Sequence, residues 1–248
     1  MDNSYPLDGF SEEQKVLVKA IKVADVDKVR ELAAKTDLDL VSEKSVPLLT
    51  VAIYEALDDI KSDKQTKRVQ IITELVRAGA PVEQRGAFTE SPLNMALMQT
   101  HSVLLKAMLE GGLDPNYRLK KNYNLPIIFE VLGHHKLNSL KLLIKYGANI
   151  HVENSGGQTP FEKALMTAPQ TAYFLATSGA NLEGISKFTG KSLAMDVFNE
   201  EKSWLQSIEN IKSGKSEGYL EVIEGNLDAV QKIKAIMIEK GIEWPPKQ

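Results

Sequence analysis

Residues 125–161 read LPIIFEVLGHHKLNSLKLLIKYGANIHVENSGGQTPF, and the fold is decided there. Leu125-Pro126-Ile127 opens the stretch. Leu137, Leu140, Leu142, Leu143 and Ile144 follow at helical spacing, and Gly147-Ala148-Asn149-Ile150 closes the helix. Gly157-Gln158-Thr159-Pro160-Phe161 then opens a second unit of the same design. Proline suits the first helical position, where its missing N–H would have no partner anyway. Glycine just past a helix end takes the left-handed conformation that caps it.

Outward from this stretch the same anchors recur. The helix-closing glycines are Gly79, Gly112, Gly147, Gly179 and Gly241, separated by 33, 35, 32 and 62 residues, the last close to two periods. The opening prolines Pro92, Pro126 and Pro160 are each 34 apart. From proline to glycine within a unit there are 20, 21 and 19 residues, room for two short helices and a turn. Segments such as Ala148 to Thr159 must return the chain to the next start. A unit this small cannot bury its apolar face alone, so it stacks on its neighbours.

Period, cap glycines and prolines together resemble the ankyrin repeat. The carrying residues are Gly147-Ala148-Asn149-Ile150, Gly179-Ala180-Asn181-Leu182, Gly157-Gln158-Thr159-Pro160-Phe161, and Ala96 and Ala164 four residues after Pro92 and Pro160. Glu224-Gly225-Asn226-Leu227-Asp228 looks like the family's turn between helices. The resemblance runs from about Ser11 to Trp244. It departs from the family pattern at the motif histidine, where Asn94, Ile128 and Glu162 stand, and at Glu130, where a small alanine is usual.

The resemblance implies an all-α fold, an ankyrin-like α-solenoid of about seven stacked helix-turn-helix repeats with short hairpin or loop fingers and almost no strand. The expected organisation is one elongated domain over 1–248. A flexible arm covers 1–10, an N-terminal cap repeat 11–40 starting at Ser11-Glu12-Glu13 with a turn at Ala24-Asp25, and a C-terminal cap repeat 216–248 whose core Trp244 covers. A sixth unit is expected from Gly190. In the second unit, Asp58 to Lys67 reads as an inserted surface loop or extended helix ends. Met95, Met98 and Met108 have the spacing of core residues.

Composition bounds the function. Among 248 residues 43% are hydrophobic and 25% charged, the profile of a folded chain and not a disordered one. The net charge of −3 argues against a general nucleic-acid or anionic-membrane footprint. The absence of cysteine excludes disulfides, thiol catalysis and thiolate metal sites. No run approaches 18 apolar residues, so no membrane insertion is expected. Met1 to Tyr5 has no basic region followed by an apolar run, so the sequence as it stands carries no signal peptide. The cytoplasm is the expected compartment; a periplasmic or secreted one would follow if a signal had been removed.

Enzyme motifs are missing. Gly190-Lys191-Ser192 and Gly214-Lys215-Ser216 lack the earlier glycine of a phosphate-binding loop, whose place is taken by Ile185 and Glu209. His101, His134, His135 and His151 have no metal-ligand spacing, and no Gly-x-Ser-x-Gly is present. No catalytic residue, cofactor or metal is expected.

What remains is surface. Asn116 to Asn124 sets Arg118, Lys120 and Lys121 between Tyr117 and Tyr123, and neighbouring fingers carry Arg85 with Phe88 and Lys187 with Phe188. Tyrosine and arginine are enriched where interfaces carry their energy. These nine residues are the expected partner-binding set. The resemblance implies a non-enzymatic module, monomeric when unbound, that grips a protein partner on a concave face of fingers and inner helices. Family-level alternatives are an immunity protein neutralising a toxic effector, for example of lipase type, and a secreted host-directed effector.

Overall fold

The computed structural model describes residues 9–39, 46–86, 89–120 and 122–247. Of the expected arm, only Gly9 and Phe10 fall among these, and Phe10 is buried, not loose. The chain divides into two compact units, one of Met1–Tyr117 with Lys141–Tyr146 and one of Arg118–Leu140 with Gly147–Gln248.

The first unit holds α1 (Glu12–Lys22), α2 (Val26–Ala33), α3 (Leu48–Glu55), α4 (Leu57–Lys61), α5 (Lys67–Arg77), α6 (Pro92–Met98) and α7 (Val103–Glu110). Its helices pack in two layers. The first helix of each pair lies against the next first helix, α1 on α3 and α3 on α6, and the second helices follow suit, α2 on α5 and α5 on α7. The faces that meet are aliphatic: Leu17, Ile21, Val51, Ile72, Leu75, Leu104 and Met108 are essentially inaccessible to solvent. Each such side chain contributes roughly 1.5–3 kcal/mol by leaving water.

Local chemistry starts the helices where expected. Ser11 caps α1 in a capping box, its hydroxyl accepting from the Gln14 N–H while the Gln14 side chain accepts from the Ser11 N–H. Gln14 is fully buried and its amide also donates to the Asp37 carbonyl at 2.8 Å, which ties the end of the first pair to its start. The segment expected as an inserted loop is in part helical. α4 buries Ile60, and the Thr66 hydroxyl caps α5 while donating to Asp59 at 2.8 Å. One apolar residue and one capping threonine suffice to fold the insertion onto α5.

Glu74 on α5 is 4% exposed and charged. Arg30 of α2 grips it with two N–H groups at 3.0 and 3.2 Å, and Arg77 adds a third at 2.6 Å. Arg77 also donates to the Glu110 carbonyl at the end of α7. A single carboxylate thus ties the second helices of three successive pairs. Its hydrogen bond to Arg30 holds its pKa below the usual value, despite the opposing effect of burial.

The second unit begins with an antiparallel hairpin, β1 (Arg118–Leu119) and β2 (Leu125–Pro126), in which Arg118 pairs with Pro126 and Leu119 with Leu125. Two 3-10 segments, Ile127–Val131 and His134–Lys136, lead into the start of α8 (Leu137–Lys145), whose residues from Lys141 on belong to the first unit. α9 (Pro160–Thr167), α10 (Pro169–Thr177), α11 (Leu193–Lys212) and α12 (Leu220–Glu239) complete it. The layering repeats: Ile127–Val131 lies on α9 and α9 on α11, while α10 lies on α12. Thr159 and Glu162 form a capping box around Pro160.

Three expectations are corrected here. Pro126 ends a strand ahead of a 3-10 turn, where Pro92 and Pro160 open α-helices. The segments read as the sixth and seventh units form a single pair of 20-residue helices, and Glu224 to Asp228 lies inside α12. Gly225 there is a site of close approach and not a turn, since a Cβ on it would come within 3.2 Å of the Gln170 amide. Of the three methionines, Met108 is in the core and Met98 is 65% exposed. Trp244 packs edge-on against Phe198, with ring centroids 5.9 Å apart.

Several helix ends share one geometry. After α10, Gly179 has φ +96°, its N–H reaches the Ala176 carbonyl, and the Ala180 N–H reaches Leu175. This two-bond closure recurs after α1, where Ala24 must hold φ +55°. Gly111 is constrained differently, because a Cβ there would stand 2.7 Å from the Thr73 carbonyl and from Val76.

Gly179→Val and Gly147→Val are therefore expected to cost roughly 1–3 kcal/mol each, and Gly111→Ala a similar amount through overpacking. Ala24→Gly should stabilise by about 0.5–1 kcal/mol, the left-handed strain relieved less the added freedom of the unfolded chain. Urea melts of the four variants check the signs, and a stabilised Gly179→Val would contradict the cap. Glu74→Gln should lower the melting temperature at pH 7. Because the native carboxylate has a depressed pKa, its contribution is full above the unfolded value of 4.5 and lost as pH falls through the folded one. The gap between wild type and variant should thus close below pH 4.5; a gap constant down to pH 3 would exclude the ion-pair account.

Candidate functional site

The residues expected at the surface lie on fingers, several of which are held in place by side-chain bonds. In the first unit, Tyr117 is half-buried and its hydroxyl donates to Glu83 at 2.8 Å, one repeat earlier. Arg85 pairs with Glu90 at 3.1 Å within its own finger. Phe88 lies outside the described residues, as does Lys121.

In the second unit the hairpin presents Arg118, Lys120 and Tyr123. Arg118 donates to the Asn124 carbonyl at 3.1 Å across the loop. Asn122 reaches back to Glu130 at 2.9 Å, which accounts for a carboxylate where the family has alanine. Leu119 is buried and fastens the base. Tyr123 and Asn124 both adopt the left-handed conformation, φ +49° and +57°, and Tyr123 is thereby turned out to 90% exposure. Arg118 and Lys120 are exposed as well.

A later finger, held by the bridge between Ile185 and Ser192, carries Lys187 and Phe188. The Ser186 hydroxyl accepts from the N–H groups of Phe188 and Thr189 and fixes the turn. Lys187 is clamped on both oxygens of Glu153 at 2.8 and 2.9 Å, again one repeat earlier. Phe188 is 48% exposed and borders a cavity with Leu165, Met166, Glu162, Asp196 and Glu200. Gly190-Lys191-Ser192 closes this finger, and Ser192 caps α11.

The expected basic set is thus distributed. Arg85 and Lys187 have carboxylate partners, and Tyr117 is a spacer between fingers. Arg118, Lys120 and Tyr123 stand together on one hairpin. Sequence reading missed the cavity acids. Their signal was present: Asp196 and Glu200 are four apart on one helix face, and Glu162 replaces the motif histidine. Among the described residues no group of three His, Asp or Glu side chains is placed to hold a metal ion, and no helix is long and apolar enough to cross a membrane.

Helix pairs at a spacing of 32–35 residues, closed by left-handed glycines and joined by projecting fingers, define the ankyrin-repeat fold. A 97-residue stretch is 30% identical to an ankyrin repeat protein of Fowlpox virus (strain NVSL), FPV024. It amounts to 39% of this chain and 16% of that protein, so the chain spans about a sixth of the curated relative it matches. Among solved structures, the chain is similar to an ankyrin repeat domain of Acinetobacter baumannii AYE, ABAYE2397. The TM-score is 0.55 at 17% identity, covering 92% of this chain and 98% of that one. It is also similar to the ankyrin repeat protein EF0377, with TM-score 0.52, 18% identity, and coverage of 92% and 99%. No family model matches the chain.

Tyr117 offers a direct test of the finger-to-finger link. Burial and the bond to Glu83 push its pKa up to about 12 from an ordinary 10.0. The folded chain holds this proton more tightly than the unfolded one, so the contribution is complete below pH 10 and lost as pH climbs toward 12. Ultraviolet titration of wild type against Tyr117→Phe should assign a late-ionising phenol, and Glu83→Gln should move it part of the way back. A Tyr117 that ionises at 10 in the folded wild type would exclude the link.

Proposed function

We propose that the chain is a non-enzymatic module that binds a protein partner through its fingers, with the hairpin Arg118–Pro126 as a principal contact. The observation that carries this reading is Tyr123, 90% exposed at the tip of a loop whose backbone is pinned by its own hydrogen bonds. A large aromatic ring held out in water by fixed backbone has little conformational freedom to lose on binding. Arg118 and Lys120 flank it, so the partner surface it fits is acidic, and their charge speeds association in a salt-dependent way. The ankyrin-repeat fold supports the reading at the level of analogy. Neutralisation of a toxic effector, or action on a host protein, are particular forms of such binding that the partner's identity would distinguish.

The test is the combined variant Arg118→Glu, Lys120→Glu, Tyr123→Ala, compared with wild type for affinity to the partner captured from native lysate. The expected result is a melting temperature close to wild type and an affinity loss of roughly tenfold or more at low salt. Full affinity in the folded variant would move the contact off the hairpin.

A further inference from the structure

The cavity beside Phe188 lies wholly in the second unit, enclosed by α9, the Ile185–Ser192 finger and α11, with a volume of about 80 Å³. That is several times the space one water needs. Its wall is apolar at Leu165, Met166 and Phe188, the last two half-exposed at the mouth. Three carboxylates complete the lining: Glu162, Asp196 and Glu200.

These acids are poorly compensated. Glu162 is only 7% exposed. Its Oε2 accepts from the Thr159 N–H and hydroxyl, both at 2.7 Å, while its Oε1 is buried with no hydrogen-bond partner. Buried carboxylate oxygens are normally satisfied, so an unsatisfied one beside a cavity marks a place for a donor. Asp196 accepts from the Thr189 hydroxyl at 2.9 Å. Burial pushes its carboxyl above the ordinary range and Glu162 adds to this, with Lys191 and the Thr189 bond opposing. Glu200 is pushed up by burial and then by Asp196. A positive charge among the three would reverse each of these effects.

We propose that this cavity receives a cationic side chain, lysine or arginine, from the protein partner. The apolar wall suits the methylene stem, the Phe188 ring lies at the mouth where a cation would pass, and the carboxylates accept its N–H donors. A bare metal ion would leave the apolar wall unused. This rests on the reading that the chain binds a protein, and it adds that the partner inserts a basic residue here while meeting the basic hairpin with acidic ones.

The test needs no partner. N-acetyl methylamides of lysine, arginine and norleucine are titrated into the full chain carrying methyl-labelled methionine, with Met166 assigned by Met166→Leu. Saturable movement of the Met166 signal is expected for lysine or arginine, with dissociation constants in the millimolar range, on the order of what one side chain can supply. Norleucine should give none. Glu200→Gln, which lies outside the capping box, should weaken the cation at least about fivefold, as should Glu162→Gln provided its melting temperature shows it folded. Equal response to norleucine, no response to either cation, unchanged affinity in folded Glu200→Gln, or tighter binding of free 1,4-diaminobutane would each overturn the proposal. Such a failure leaves the hairpin reading intact, and a failed hairpin variant leaves cation binding intact, so the two are separable.

Discussion

A unit of about 34 residues has too little interior to bury its own helices, and the rest of this structure answers that constraint. Within each unit, first helices lie on first helices and second on second. The consequence appears in the side chains. Tyr117 reaches Glu83 and Lys187 reaches Glu153, each across 34 residues, and Arg77 reaches the Glu110 carbonyl across 33. The sequence period has become a set of physical contacts, with a charged group of one repeat answering the same place in the next. Glu74, bound to Arg30 across the lengthened second repeat, serves the same purpose over 44 residues.

These polar contacts are not the main source of stability. Most have at least one well-exposed partner, and such pairs contribute little in water. Their role follows from where they sit. The aliphatic layers resist separation but are tolerant of small shifts, whereas a hydrogen-bonded pair has one good geometry. A half-buried phenol between fingers, or a carboxylate gripped by two arginines, fixes how one repeat is set upon the next.

Repeats and caps were legible in the sequence because their causes are local. Positive φ after a helix favours glycine whatever surrounds it, and a threonine with glutamate three residues on caps a helix by itself. Features decided by tertiary contact were not legible. Gly225 has the look of a turn and sits inside α12, near the Gln170 amide. Met98 has core spacing yet is exposed at the last position of α6. The acidic cavity needs α9, a finger and α11 in register, so the i, i+4 pair Asp196 and Glu200 shows an acidic helix face in sequence but not the cavity that Glu162 completes. Charge on a finger is visible in sequence but its pairing is not: Arg85 meets Glu90 within its own finger, whereas Lys187 meets Glu153 one repeat away.

That compensation changes what the second unit offers a partner. Lys187, the most obvious cation of its finger, is spent on Glu153, and Phe188 beside it opens onto acids. Arg118 is tied to its own loop, but through a carbonyl, which leaves its charge unneutralised. The unit therefore presents a positively charged aromatic hairpin and a negatively charged apolar cavity. If both proposed sites engage one partner, a partner matched to one sign alone is repelled at the other place, so the two together would select for a surface that alternates in charge. Such a pattern discriminates among partners more sharply than it strengthens binding, because each mismatched charge is penalised while each matched pair gains little beyond its desolvation.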